Sequence, residues 1–306
     1  MSETERRRVA AGRGCPEEEH DADETDVRLR ERLTRIRHKI IVLSGKGGVG
    51  KSTVAVNLAV AFAERGLQVG LLDIDLHGPS VPKMLHLEGR PLQSVDGSVL
   101  PLEFTLNLKV ISIGFFLPSD DQAVIWRGPR KYSVIRQLLT DVQWGDLDYL
   151  IVDAPPGTGD EPLAVLELLG KVDGAVVVTT PQQLSITDVR KSIAFCRELR
   201  CPVLGVIENM SGLVCPHCGG KIEVFSRGGG EALARQAGVS FLGGIPMDPG
   251  VAISGDSGRP FMAAYGTSPA AEAFRSAIVP LLALDKAAAV RPQLESFCSP
   301  KEETRR

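Results

Sequence analysis

Residues 45–53 read "GKGGVGKST", and the fold turns on how this stretch is understood. Gly45 through Ser52 meet the pattern G-x-x-x-x-G-K-S/T of a phosphate-binding loop. Glycines at Gly45, Gly47, Gly48 and Gly50 let successive backbone N–H groups converge on a phosphate with no Cβ in the way. The pattern assigns Lys51 to the β- and γ-phosphates and the Ser52 hydroxyl to Mg2+, with Val49 and Thr53 completing the loop. The flanks agree. "KIIVL" (39–43) is a short apolar, β-branched run that reads as a buried strand. "STVAVNLAVAFAER" (52–65) carries apolar residues at helical spacing and stops before Gly66. Strand, glycine loop and helix together aim the helix's positive end at an anion. The loop also holds a second lysine, Lys46, whose stem points away from its own nucleotide. Either Lys46 is solvated, or its ammonium reaches a phosphate on a facing subunit as an arginine finger does in trans.

Outward from the loop, strand-like and helix-like segments alternate. The strands are expected over 67–75, 108–114, 147–155, 174–181, 201–210 and 239–246, mostly as continuous apolar runs of the kind found in a parallel sheet buried on both faces. Helices are expected over 129–142, 161–170, 184–199, 229–238 and 269–289. This alternation specifies an α/β fold with a doubly wound, mainly parallel sheet whose ligand site lies at the carboxyl ends of the strands. Residues 1–37 read as an unpacked polar arm, acidic over 17–26, ending in a short basic helix over 27–39 that leads into the sheet. Residues 38–290 read as one domain and 291–306 as a loose tail.

Composition narrows the function. The 306 residues carry a net charge of −3 and are 43% hydrophobic, so a large core is available and bulk attraction to nucleic acid or anionic lipid is not expected. No apolar run approaches the ~18 residues of a spanning helix. The opening "MSETERRRVAAGRG" lacks the apolar segment of a secretory signal. Six cysteines without such a signal point to thiols in a reducing cytoplasm.

Acidic residues gather at the strand ends. Asp153 closes "LDYLIVD" in the form of a Walker B aspartate, which supports Mg2+ directly or through water. It leads into "APPGTGDEP", a loop ending near Asp160 that is suited to sensing a γ-phosphate. In "LLDIDLHGPS" (71–80), Asp75 opens a loop and can position water or metal, whereas Asp73 is either part of that site or a cap on loop N–H groups. Asn209, after "CPVLGVIE", either reads an adenine edge with its amide or makes a loop turn.

"CPHCGG" (215–220) aims the thiols of Cys215 and Cys218 at one point. Such a pair suits Zn2+ or an iron–sulfur cluster, both of which want four ligands, and the chain has no second C-x-x-C. Half of a site shared with another subunit, a redox pair and an unligated turn all remain open. Cys196 and Cys201 read as ordinary buried thiols, and Cys15 and Cys298 fall in the terminal segments. A two-fold dimer would supply both missing partners, a phosphate for Lys46 and a second thiol pair, because an isologous interface sets the same groups opposite themselves.

Seven stretches occur in order: "GKGGVGKST", "DIDLHGPSVPKM", "VIWRGPRK", "LDYLIVDAPPGTGD", "TTPQQLSITDVRKS", "VIENMSG" and "CPHC". Residues from about 38 to 265 thereby resemble the Mrp/Nbp35-type P-loop ATPases, the iron–sulfur cluster carrier proteins of the deviant Walker A group. That group also contains the nitrogenase iron protein and the septum-site and partition ATPases. The resemblance implies a homodimeric ATPase that uses ATP and Mg2+, holds a labile 4Fe-4S cluster between two C-x-x-C pairs, and passes it to apo iron–sulfur proteins. It places Lys46 on the partner's nucleotide, Asp75 in switch I, Asp153 to Asp160 in switch II and Asn209 in the adenine pocket. It implies slow turnover, a cytoplasmic setting, and neither nucleic acid nor membrane as partner. Two features depart from the wider pattern: the first 38 residues are too few for the separate N-terminal domain of some relatives, and Cys15 alone cannot form the N-terminal cluster site of others. "WRGPRK" (126–131) has no chemical reading beyond an interface strip. Two rivals stand beside this expectation, a zinc-bridged ATP-dependent dimer and a positioning ATPase of the septum-site or partition type.

Overall fold

The computed structural model describes residues 16–76, 78–116, 128–215, 218, 220–225 and 228–285. Its strands are β1 (Ile36–Ser44), β2 (Val69–Asp73), β3 (Ser94–Val95), β4 (Ser98–Val99), β5 (Leu102–Thr105), β6 (Leu108–Ser112), β7 (Leu147–Asp153), β8 (Gly174–Thr179), β9 (Val203–Val214), β10 (Lys221–Ile222) and β11 (Phe241–Met247). The helices are α1 (Pro16–Thr34), α2 (Lys51–Ala63), α3 (Val81–Met84), α4 (Gly128–Asp141), α5 (Asp160–Leu169), α6 (Gln183–Glu198), α7 (Gly229–Ala237), α8 (Pro249–Ser257), α9 (Phe261–Ala264) and α10 (Pro269–Ala277). The main sheet runs β10-β9-β8-β1-β7-β2-β6-β5, with β11 also on β9. The pairs from β11 through β9, β8, β1, β7 and β2 to β6 are parallel, while β5 and β10 join antiparallel.

Central β1 shows why the strands read as unbroken apolar runs. Successive side chains point to opposite faces, and here both faces are covered. Ile40 and Val42 pack with α2 and α10 (Val54, Leu58, Phe274), while Ile41 and Leu43 pack with α4 and α5 (Leu138, Leu139, Val165, Leu169). Helix α2 is buried on nearly every side, so it carries no polar face to betray its period.

The expected strands and most expected helices are present. The ends differ. The basic helix is not confined to 27–39: α1 spans Pro16–Thr34, taking in the acidic stretch, and β1 begins at Ile36, so a boundary at residue 37/38 cuts a strand. The charges of α1 are used in cross-links. Arg28 meets Asp141 at 3.3 Å, Arg32 donates to the Ser98 hydroxyl at 2.7 Å, and Asp26 receives Arg136 at 2.6 Å, while Leu29 is buried. At the other end α10 stops at Ala277 and gives way to turns, because Pro280 has no N–H to continue the ladder; residues 286–289 of the expected helix lie outside the described residues. Residues 1–15 and 286–306, with Cys15 and Cys298, lie outside the described residues, as do Trp126 and Arg127 of the "WRGPRK" strip. Among the described residues no helix is long and apolar enough to cross a membrane.

Candidate functional site

The order β1-β7-β2 at the sheet centre brings three carboxyl ends side by side. Val42 of β1 is in register with Asp153 of β7, and Asp153 with Asp73 of β2. Both aspartates are completely buried. The loop after β1 wraps over them. Gly48 and Gly50 each take φ 78°, a left-handed conformation that a side chain would strain, and Gly50 caps α2. Gly45 is constrained by space: a Cβ there would lie 2.4 Å from the backbone carbon of Asp188 in α6. Gly47 and Gly48 face open space. The loop is tied at its base, where the Ser44 hydroxyl donates to the Lys46 carbonyl at 2.9 Å and the Gly157 N–H to the Ser44 carbonyl at 2.8 Å.

Lys51 folds inward and is 6% exposed. Its Nζ lies 2.6 Å from Asp153 Oδ1, 3.6 Å from Asp75 Oδ2 and 3.3 Å from Ser52 Oγ. Burial raises the Asp153 pKa against the pull of Lys51. The other carboxylate oxygen, Asp153 Oδ2, is buried without a hydrogen-bond partner among the described residues. An orphaned carboxylate oxygen beside the Ser52 hydroxyl and Asp75 makes a hard oxygen set suited to Mg2+ on a phosphate. Asp73 is used differently. It accepts from the Asp75 N–H (3.1 Å), the Val81 N–H (3.4 Å) and the Ser112 hydroxyl (2.9 Å), capping the loop that carries Asp75. Burial, and then the charge of Asp153, push its pKa up to about 7. Of the two readings open for Asp73, the cap is the one the geometry displays.

Asn209 arrives from β9, and its Nδ2 donates to the Val49 carbonyl at 2.9 Å. The donor half of the amide therefore braces the loop, and a Cβ on Gly50 would sit 2.2 Å from that nitrogen. Behind it opens a cavity of about 420 Å³ whose walls include Thr53, Asn57, Asn209, Met247 and Ser254. Lys46 is half-buried and makes no side-chain hydrogen bond or ion pair among the described residues. Asp160 begins α5, at the end of the loop that Gly157 ties to Ser44.

Strand β9 runs on past Asn209 to Val214 and pairs with β10, so Cys215 and Cys218 sit at a hairpin tip. Cys215 is half-buried and its N–H donates to the Gly220 carbonyl at 2.8 Å; Cys218 is exposed. No group of three or more His, Cys, Asp or Glu able to hold a metal occurs among the described residues, so one chain brings two thiols to this tip.

Three arrangements escaped the sequence. Glu208, buried at the end of the β8–β9 pairing, accepts from the Gly230 N–H and the Ser211 hydroxyl, both at 2.6 Å, and so fixes α7 to β9. Lys131 of the "WRGPRK" strip pairs with Glu161 in the first turn of α5, which joins α4 to the helix after the Asp153 loop. Cys196 and Cys201 are buried, but they are also partners. Helix α6 ends with the Cys201 N–H on the Cys196 carbonyl (2.8 Å) and the Arg200 N–H on the Arg197 carbonyl (3.1 Å), with Arg200 at φ 54°. This is the Schellman arrangement, which brings those two side chains together. The Cys201 thiol donates to the Pro202 carbonyl at 3.7 Å, and the two neighbouring thiols shift each other, raising the pKa of Cys196 and lowering that of Cys201. A non-glycine residue at the turn hid the signal.

A parallel sheet with a glycine loop between β1 and α2, two lysines in that loop and an acid closing β7 defines a P-loop nucleotide-binding protein of the deviant Walker A class. The chain belongs to the NUBPL iron-transfer P-loop NTPase family, whose model matches residues 35–282. An "Iron-sulfur cluster carrier protein" of Methanocaldococcus jannaschii is 48% identical over 248 residues, covering 81% of this chain and 86% of that protein. The "Cytosolic Fe-S cluster assembly factor NUBP2" of Rattus norvegicus is 50% identical over 248 residues, covering 80% and 92%. Among solved structures, a nucleotide-binding protein from Archaeoglobus fulgidus in complex with ADP is 40% identical with a TM-score of 0.69, covering 78% of this chain and 93% of that one. The septum-site protein MinD of Pyrococcus horikoshii, at 23% identity and a TM-score of 0.60 over 83% of this chain and 98% of that one, shares the fold.

Proposed function

We propose that this chain is an ATP-hydrolysing carrier that receives a labile 4Fe-4S cluster between two copies of itself and passes it to apo iron–sulfur proteins in the cytosol. The observation that carries the reading is one strand: β9 holds Asn209 against the phosphate loop and ends at Val214, next to Cys215. Nucleotide site and thiol pair thus share one strand. The relatives named as cluster carriers and assembly factors point to the cargo, and the ADP complex of the Archaeoglobus protein points to the nucleotide.

In this reading the N–H groups of residues 45–53 cradle the phosphates, and Lys51 turns from Asp153 toward them. Ser52 and Asp153 would hold Mg2+, which neutralises phosphate charge. Asp75, beside Lys51 at the mouth of the strand ends, orients the attacking water, and slow turnover would suit a switch. Lys46, with no partner in its own chain among the described residues, serves the nucleotide of a second copy. Two thiols per chain at an exposed tip make four across a two-fold axis, the number a 4Fe-4S cluster requires.

The test is anaerobic reconstitution with iron and sulfide, read by visible absorption, metal content and mass in solution, with Cys218→Ala alongside. A brown dimer with about four irons, lost in the variant, supports the shared cluster. A colourless dimer with one zinc replaces it with the structural clasp. Pelleting with lipid or DNA only in the presence of ATP would instead favour the positioning ATPase.

A further inference from the structure

We propose that Asn57, nearly two turns into α2, reads the 6-amino group of the nucleotide base and selects adenine over 6-oxopurines. This rests on the nucleotide reading above. Two buried polar atoms carry it. Asn57 Oδ1 and Ser254 Oγ belong to residues only 3% and 2% exposed, and neither atom has a hydrogen-bond partner among the described residues. Leaving such groups unpaired is costly, so most buried polar atoms in folded proteins are satisfied. Both residues line the same cavity of about 420 Å³, one from α2 and the other from α8. A cavity of this size accommodates a purine. Thr53, in the phosphate loop, and Asn209 line it as well, so the cavity is continuous with the phosphate site.

The orientation of the Asn57 amide is fixed from within the helix. Nδ2 donates to the Thr53 carbonyl at 2.8 Å. Turning the amide over would set Oδ1 against that carbonyl, oxygen to oxygen, and lose the bond. Oδ1 is therefore the half of the amide left without a partner, and it can only accept. Adenine presents an amino donor at C6, which satisfies it. Guanine and hypoxanthine present a carbonyl there, which leaves Oδ1 unpaired and facing another acceptor. The Ser254 hydroxyl can donate or accept, so it adapts to either ring and contributes affinity more than choice. Discrimination falls on the asparagine.

The probe is displacement of a ribose-labelled fluorescent ADP by ATP, ITP and purine riboside triphosphate, each with Mg2+. These bear an amino group, an oxo group and hydrogen at C6. A lost bond to a buried neutral group is worth about 1–3 kcal/mol, or roughly 5- to 150-fold in affinity. We expect ATP to bind tightest, purine riboside triphosphate more weakly by that factor, and ITP weakest because its oxygen opposes Oδ1. In Asn57→Leu the three should converge, with most of the loss on ATP. Equal affinities for the three in the unaltered protein would overturn the proposal, whether or not the variant folds. So would undiminished discrimination in a folded Asn57→Leu. Failure of the unaltered protein to bind labelled ADP at all would instead remove the nucleotide reading, and this inference with it.

Discussion

Removing the Lys51 ammonium should destabilise the nucleotide-free protein, independently of any loss of ATP binding. Lys51 is the near cation for Asp153 at 2.6 Å and for Asp75 at 3.6 Å, and it is 6% exposed against a completely buried Asp153. Deleting one partner of a buried pair costs about 3–5 kcal/mol, because the other charge stays desolvated. Asp153 has an escape: with its pKa already raised by burial, it can bind a proton once Lys51 is gone. That holds Lys51→Met near the lower end, about 3 kcal/mol at pH 7.5. With a urea slope of about 3 kcal/mol per molar, the midpoint should fall by about 1 M. The escape also sets the pH dependence. A carboxyl whose folded pKa is raised makes stability fall as pH rises, at up to about 1.4 kcal/mol per unit between the unfolded and folded values. Lys51→Met should therefore regain stability relative to the parent as the pH falls from 7.5 to 5.5. Adding Asp153→Asn should restore much of the midpoint at pH 7.5. Equilibrium urea curves of parent, single and double variants at both pH values make the assay. Parallel pH dependences for parent and Lys51→Met, or no recovery in the double variant, would refute the view that Lys51 neutralises a buried carboxylate.

Two further predictions concern the same strand ends. Asp73 has a folded pKa of about 7, well above the unfolded range, so it too contributes stability that is present below pH 4 and lost as pH rises to 7, by up to about 4 kcal/mol. In Asp73→Asn this part of the slope should vanish in urea titrations between pH 4.5 and 7.5; an unchanged slope would show that Asp73 ionises as it does in the unfolded chain. Gly45→Ala and Gly47→Ala should part company, since a Cβ on Gly45 meets the Asp188 backbone at 2.4 Å while one on Gly47 meets nothing within 4 Å. We expect at least tenfold weaker ADP binding and a lowered melting temperature for Gly45→Ala, and melting within about 2 °C of the parent for Gly47→Ala; matching behaviour of the two would remove the packing argument.

What was legible in the chain was local. The glycine loop, the apolar strands and the acid closing β7 each declare themselves within a dozen residues, because a parallel sheet covered on both faces needs unbroken apolar runs and a phosphate cradle needs bare backbone. Illegible were contacts whose partners lie far apart in sequence. Asn57 and Ser254 meet one cavity across nearly two hundred positions. Asp73 could be read either as a site acid or as a cap because its cap partners, Val81 and Ser112, come from separate elements. The acidic stretch before residue 27 looked unpackable because the helix carrying it is tied down by arginine pairs to α4 and by Leu29, which lies beyond the stretch.

The relation between nucleotide site and thiol pair shows the same limit in its sharpest form. Both motifs were readable, but their separation depends on how far β9 continues. Asn209 and Cys215 are six positions apart, which sets an upper bound of about 20 Å for a fully extended strand. The strand is not fully extended. Met210 takes φ 59° and Gly212 φ 76°, and the pairing with β11 slips between Ile245 and Met247. Irregularities of this kind bend a strand and turn its end. A left-handed non-glycine residue such as Met210 costs of order 1 kcal/mol or more and persists only where its surroundings hold it. The bend lies between the residue that braces the phosphate loop and the hairpin that bears the cysteines. A shift of the loop at Val49 would reach Asn209 through its 2.9 Å hydrogen bond and act on the hairpin across that bend, so the angle of the thiol tip, more than its distance, is the quantity a nucleotide-driven change would alter.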